Sequence, residues 1–243
     1  FNYFKQLFAQ VSNPPLDAIR EELVTSLEGT LGTEQNLFAE TPQHCHQLRI
    51  KKPILTNSQL ESIRNIDRGN LKSKTLYMLF DPNGGKGSLK KAMDMLRKEA
   101  SEAVQEGYNI LILSDRGVDQ NRAPIPSLLA TSGVHHHLIR DGTRTKVGLI
   151  VESGDPREVA HFCLLIGYGA GAVNPYLVFD TIKDMLEKDR FLTKLDYMTA
   201  EKNYIKAVHK GVLKTMSKMG ISTLQSYRGA QIFEAIGLNQ ELI

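Results

Sequence analysis

Tryptophan is absent from the 243 residues, and cysteine nearly so, Cys45 and Cys163 being the only two. Two isolated thiols cannot build a disulfide framework or a four-ligand zinc site, and they suit a reducing compartment such as the cytosol. No apolar run approaches the ~18–20 residues that a membrane span requires, and no signal peptide opens the chain. An excess of one charge is missing too. The 30 Lys and Arg face 27 Asp and Glu for a formal net charge of +3. The pI near 8.7 is therefore a small imbalance, with no nucleic-acid footprint behind it. What remains is ordinary: 41% hydrophobic and 23% charged residues, enough for a sizeable core in one large domain or two small ones.

Familiar chemical motifs are also scarce. Asn83–Gly87 (NGGKG) separates a strand-like run from a helix-like one, as a phosphate loop would. It lacks the Walker spacing and G-x-G-x-x-G, and reads as a surface turn. His135, His136 and His137 are consecutive, so on a helix their rings point about 100° apart and cannot converge on one metal. One ring should pack inward and another outward. Neither His161 nor Cys163 completes an H-E-x-x-H pattern. Cys45, flanked by His44 and His46, has no activating partner and reads as a loop cysteine.

Patterning divides the chain into three parts: an irregular segment over 1–73, a βα domain over 74–198 and a helical connection over 199–243. Ser12-Asn13-Pro14-Pro15 must be extended or turned, because neither proline fits inside a helix. Asp17 should open a helix through Leu27, stopped by Gly29 and Gly32, and Asn57 or Ser58 with Glu61 resembles a capping box. From Lys74, strands over Thr75–Phe80, Asn109–Leu113, Lys146–Val151 and Ala170–Asn174 alternate with helices over Ser88–Glu106, Pro126–Arg140 and Pro156–Ile166. That repeat predicts an α/β fold whose parallel βα units form an open or partial barrel-like sheet. Tyr176–Met219 reads as helical, and Ala230–Leu238 as a final helix closed by Gly237.

A parallel sheet gathers function at its strand C-termini. Asp81, Asp115 and Glu152 fall on that rim, which admits a free-standing small-molecule-binding module as one reading. Polar residues collect there equally as helix caps. Lys206, Lys210, Lys214 and Lys218 form one basic helix face, either solvated or complementary to an acidic partner. Phe1–Val11 (FNYFKQLFAQV) is densely apolar for a first segment, so the chain reads as an excised piece of a longer polypeptide. Exposed Phe1, Tyr3, Phe4 and Phe8 would then favour a homodimer of that piece.

Three long stretches carry a family resemblance: Tyr3–Glu21 (YFKQLFAQVSNPPLDAIRE), Ala130–Asp141 (ATSGVHHHLIRD) and Gly211–Leu238 (GVLKTMSKMGISTLQSYRGAQIFEAIGL). With Ile112–Gly117 and Ile166–Tyr176, they closely resemble the central region of the glutamate synthase large subunit, over nearly the whole chain. Gly142–Lys146 and Glu152–Val159 look more like the bacterial, NADPH-dependent forms. The resemblance implies an oxidoreductase that makes two L-glutamates from L-glutamine, 2-oxoglutarate and two electrons. It implies a cytoplasmic enzyme whose amidotransferase domain precedes this segment and whose FMN- and iron–sulfur-binding domain follows it, served by an NADPH-oxidising small subunit. No catalytic residue, cofactor or metal ligand transfers to this segment. What transfers by position is a tunnel-lining loop for ammonia at Ser12, Asn13, Pro14 and Pro15. A domain-contact stretch holding Lys218, Ser222, Gln225, Tyr227 and Arg228 also transfers.

Overall fold

Short, wholly apolar runs alternating with helix-period stripes organise the chain around one sheet. The computed structural model describes residues 1–7, 19–190 and 194–239. The first elements are small: β1 (Phe4–Gln6), the helical turn α1 (Glu21–Val24), the antiparallel pair β2 (Gly29–Leu31) and β3 (Leu48–Ile50), and helix α2 (Asn57–Arg64). Thr56 caps α2. Its hydroxyl accepts the Gln59 N–H at 3.2 Å, and the Gln59 carboxamide accepts the Thr56 N–H at 2.9 Å. The reciprocal box thus begins one residue before the expected Asn57 and two before Ser58, with Gln59 in place of Glu61.

The repeat follows. β4 (Asp67–Arg68) precedes β5 (Leu71–Tyr77) and the short β6 (Leu79–Phe80). Then come α3 (Ser88–Gln105), β7 (Ile110–Ser114), the short β8 (Ala123–Pro124), α4 (Ser127–Arg140), β9 (Gly148–Glu152), α5 (Val159–Gly167) and β10 (Ala172–Asn174). Helices α6 (Tyr176–Glu187) and α7 (Tyr197–Met219), the turn α8 (Leu224–Tyr227) and β11 (Phe233–Ala235) complete the described chain.

The main sheet has the order β10-β9-β7-β5-β4, with β5, β7, β9 and β10 parallel and β4 antiparallel. Strands adjacent in the sheet follow one another in sequence, so right-handed crossovers set α3, α4 and α5 side by side on one face. This is the winding of a barrel segment without closure, as the spacing of apolar runs predicts. Every position of β7 and β9 is buried. Leu111, Leu113, Leu149 and Val151 meet the helices; Ile110, Ile112, Ile150 and Ala172 face the other way. Leu31, Ile50, Leu55, Leu60 and Ile63 cover that second face, which would be the interior of a closed barrel. Backbone of residues 53–55 pairs along β10, with Leu55 N–H to Val173 C=O at 2.9 Å and Val173 N–H to Pro53 C=O at 2.7 Å. This edge of the sheet is therefore capped.

Tertiary contacts overrule several local expectations. Of the helix expected from Asp17 through Leu27, the described part is the single turn α1, because Ser26 pairs with Thr223 and Gly29–Leu31 is drawn into a strand; Asp17 and Ala18 lie outside the described residues. The first long strand lies earlier than Thr75–Phe80, over Leu71–Tyr77. Instead of the expected helix over Ala230–Leu238, β11 pairs antiparallel with β1, Phe4 opposite Ala235 and Gln6 opposite Phe233. Phe233 and Ala235 turn inward and Glu234 outward, a period of two, and Phe233 stacks on Tyr168 with ring centroids 5.9 Å apart. Phe1 stacks on His161 at 4.4 Å, and Phe4 meets Tyr168 edge-on at 5.7 Å. Two of the four aromatics expected to serve self-association are thus spent on the chain's own core; Phe8 lies outside the described residues.

Two close approaches set the fit of the second face. A Cβ on Gly148 would lie 2.8 Å from Leu31 Cδ2, and one on Gly171 only 2.4 Å from the same atom. Leu31 itself is 1% exposed. Gly148→Ala should therefore cost about 1–3 kcal/mol through overpacking, read from the urea midpoint. In a double-mutant cycle Leu31→Ala should relieve part of that cost, and strict additivity would show that the contact is not the cause.

Two buried histidines make the fold acid-sensitive. Burial and then the Arg144 charge push His135 down to about 3, and burial and then Lys52 push His209 down to about 4. Unfolded chains protonate these rings from about pH 6.5 downward, so stability falls as pH drops from there toward the folded values. Each ring contributes a slope of up to about 1.4 kcal/mol per pH unit. His209→Gln should flatten the stability profile between about pH 6 and 4 by one proton's worth; an unchanged profile would refute the assignment.

Candidate functional site

The rim expected to carry chemistry is built at the C-terminal ends of the parallel strands. Ser114 ends β7, Glu152 ends β9, and the two are register partners. Glu152 is 2% exposed and accepts from Ser114 Oγ at 2.5 Å, Arg64 Nη2 at 2.8 Å and Arg116 Nε at 2.6 Å. Arg64 reaches in from the last turn of α2 and also donates to Thr75 Oγ1 at 2.6 Å. One carboxylate thereby joins α2, β5, β7 and β9. Burial alone would raise its pKa, but the hydrogen bonds from Ser114, Arg64 and Arg116 outweigh burial and hold it below the ordinary glutamate value.

Asp115 is equally buried and differently held. It accepts from Ser153 Oγ at 2.6 Å and from the Gly154 N–H at 3.1 Å, and Tyr176 donates to it as well. Here burial wins and raises the pKa, although those hydrogen bonds oppose it. The Arg116 guanidinium lies over the Tyr176 ring, 4.0 Å from its centroid, which links the two carboxylate clusters. A cleft of about 510 Å³ opens above Glu152 between Asn57, Glu61, Arg64, Tyr77 and Arg116.

Asp81 does not join them. It is exposed, its carboxylate accepts the Asn83 N–H at 2.8 Å, and its carbonyl accepts Ser88 Oγ at 2.6 Å. It starts the Asn83–Gly87 turn, where Gly85 and Gly87 take φ of +74° and +94° that other side chains resist. The rim site read from Asp81, Asp115 and Glu152 is therefore a pair plus a remote turn residue. Three donors of the chain itself hold each member of the pair: Ser114, Arg64 and Arg116 on Glu152, and Ser153, Gly154 and Tyr176 on Asp115. Among the described residues, no three His, Cys, Asp or Glu side chains converge as metal ligands. Arg64 and Tyr176 escaped the sequence reading. Arg64 meets Glu152 across 88 positions of chain, and nothing local announces such a contact.

The remaining candidates separate by exposure. Ser12, Asn13, Pro14 and Pro15 lie outside the described residues. Tyr227 is fully buried, and its hydroxyl accepts from Gln6 Nε2 at 3.1 Å. The Arg228 side chain is 13% exposed and faces Glu34 at 3.5 Å. Lys218, Ser222 and Gln225 are exposed, so only they are free to meet another domain. His135 is buried and accepts from Arg144 Nε at 2.9 Å, whereas His136 is exposed. His137 is half-buried and lies 2.8 Å from Ser101 Oγ. That is the one-in, one-out arrangement the helix geometry demands. Lys206, Lys210, Lys214 and Lys218 are all exposed on α7, a solvated face.

The Glu152 knot yields a stability prediction. Glu152→Gln removes the carboxylate shared by Arg64 and Arg116, leaves Arg64 only the exposed Glu61 as counterion, and should cost about 2–3 kcal/mol. Combining it with Arg64→Met should recover much of that loss, measured by urea unfolding of both variants. Because its pKa is lowered, the Glu152 contribution is present above the ordinary carboxylate range and lost on acidification. Asp115, with a raised pKa, works in the opposite sense.

Comparison with known proteins gives this geometry its context. Residues 1–239 match the glutamate synthase central domain. The whole chain aligns with the glutamate synthase [NADPH] large chain of Bacillus subtilis at 47% identity, and with the glutamate synthase [NADH] of Schizosaccharomyces pombe at 44%. A ferredoxin-dependent glutamate synthase 2 of Synechocystis sp. aligns at 42%. The chain spans 16%, 12% and 16% of those three polypeptides, respectively. On a match over nearly its whole length, the chain belongs to the glutamate synthase central domain family.

Proposed function

We propose that this chain serves as the central segment of a glutamate synthase large chain of the NADPH-dependent type. The whole enzyme moves the amide nitrogen of L-glutamine onto 2-oxoglutarate with two electrons, giving two L-glutamates. An amidotransferase domain on one side releases ammonia. A domain bearing FMN and an iron–sulfur cluster on the other side reduces the imine formed from it, and an NADPH-oxidising small subunit supplies electrons in the cytoplasm. The segment holds the two in register and contributes wall to the path between them.

The observation that carries this reading is the family match over residues 1–239, taken with rim carboxylates already bound to the chain's own donors. Chemistry belongs elsewhere in the polypeptide. Cys45 is exposed on a loop and Cys163 is buried in the core, so the two cannot hold an iron–sulfur cluster, which needs three or four thiolates. The internally hydrogen-bonded rim likewise weighs against a free-standing small-molecule module built on Asp115 and Glu152.

A structural segment can still serve chemistry by excluding water. Ammonia near neutral pH is mostly ammonium, which cannot attack a carbonyl, so its path must be dry and nearly free of titratable groups. Ser12-Asn13-Pro14-Pro15 fits that need: two prolines fix the backbone, and none of the four side chains titrates. In the full polypeptide, Asn13→Ala and Pro14→Gly should uncouple the half-reactions. Glutamine hydrolysis would then exceed its use in glutamate formation, and ammonia would leak to the medium. Turnover of the two that stays tightly matched would reject the tunnel assignment.

A further inference from the structure

The loop joining β2 to β3 is fastened at both levels and yet presents apolar side chains to water. At its base, Thr33 Oγ1 donates to the Lys146 carbonyl at 2.9 Å, and the Glu34 N–H donates to the Thr145 carbonyl at 2.8 Å. Gln47 Nε2 closes the base on the Thr33 carbonyl at 3.1 Å. Higher up, the two ring nitrogens of His44 lie 2.9 Å from the Thr41 carbonyl and 3.1 Å from the Asn36 carbonyl. The Asn36 side chain accepts the Phe38 N–H at 3.0 Å. Between these ties Leu37 is 91% exposed and Phe38 99%. A turn anchored this way displays its two largest apolar groups at a set position, where water contact is unfavourable.

The charged groups beside the loop are held internally. Arg144 spends its donors on neutral partners, namely His135 Nδ1 and the carbonyls of Val147 and Gly169. Burial and then the neighbouring Arg228 charge push its pKa down to about 10. Glu34, 43% exposed and 3.5 Å from Arg228, is the carboxylate paired with Arg228. It precedes Phe38 by four residues, so the two lie within ~14 Å of each other.

We infer that Leu37 and Phe38 form a plug that seats in an apolar socket on another domain of the same longer polypeptide. This rests on the reading of the chain as a glutamate synthase segment. Buried area selects the occupant. One aromatic and one leucine cover a few hundred Å² at most, whereas a stable interface between separate molecules buries ~1,200–2,000 Å². A covalently linked neighbour needs no such area, because tethering keeps its effective concentration high. The relatives are long enough to supply it, since this chain spans 12–16% of their length. Exposed Gln225, which donates to Glu34 at 3.1 Å, extends the same face toward the stretch already assigned to domain contact.

The test places photoreactive p-benzoyl-phenylalanine at position 38 of the full-length polypeptide and maps its cross-links by mass spectrometry. Cross-links within a single chain, to peptides outside residues 1–243, are expected. Cross-links between two copies, to a separate subunit, only within residues 1–243, or none at all would overturn the inference. Phe38→Glu gives a second readout. It should speed proteolytic cleavage of the loop in the full polypeptide by about tenfold or more, which corresponds to 1.4 kcal/mol of lost docking. An unchanged rate counts against the plug. Glutamate formation by the unmodified polypeptide is assayed in parallel. Failure of the glutamate synthase reading appears there, and failure of the plug appears in the cross-link map alone.

Discussion

An open sheet of parallel strands has two apolar faces, and its own crossover helices can cover only one when every crossover turns the same way. That constraint governs the rest of the molecule. α3, α4 and α5 fill one side. The other is filled by material that precedes the repeat, with Leu31, Ile50, Leu55, Leu60 and Ile63 laid across Ile110, Ile112 and Ile150. Gly148 and Gly171 let Leu31 lie flat on the strands. The salt bridge from Arg64 to Glu152 bolts this layer to the strand ends, because α2 brings Leu60 and Ile63 to the sheet and Arg64 to the rim together. Cover and bolt are one device.

The rim illustrates how a fold's preferred site can be put to another use. Barrel-like βα repeats direct polar residues to one end of the sheet, and here they do gather: Ser114, Asp115, Arg116, Glu152 and Ser153. Each carboxylate, however, meets guanidinium, hydroxyl or amide donors from neighbouring elements. A buried carboxylate held by several donors of its own chain is fixed in place by them. What it gives is rigidity across four elements. The relatives that the chain matches are about six to eight times its length.

The repeat was legible because it depends on local signals. The α3 stripe, the unbroken apolar β7 and the spacing of successive strands can each be read in a short window of sequence. Contacts between remote segments left no such trace. Arg64 looks like any helix-end cation until Glu152 is beside it. Phe233 and Ala235 lie within what scans as a helix, and only Tyr168, Tyr227 and the facing β1 make them a strand. Tyr227 and Arg228 look like surface polarity in a turn-rich run, yet Gln6 and Glu34 draw them inward. The family resemblance reached the central-domain family. It could not say that the two rim carboxylates were already spoken for.

The antiparallel pairing of β1 with β11 has a mechanical consequence. Tyr3 and Ile236 are joined by a hydrogen bond of 2.7 Å, so the two ends of the described fold lie side by side and on the same end of the ribbon. A pull on both would load that ribbon like a zipper, one rung at a time, and would leave the parallel sheet behind it unstretched. Tension applied at those two points would pass through one corner of the molecule without crossing the body of the fold.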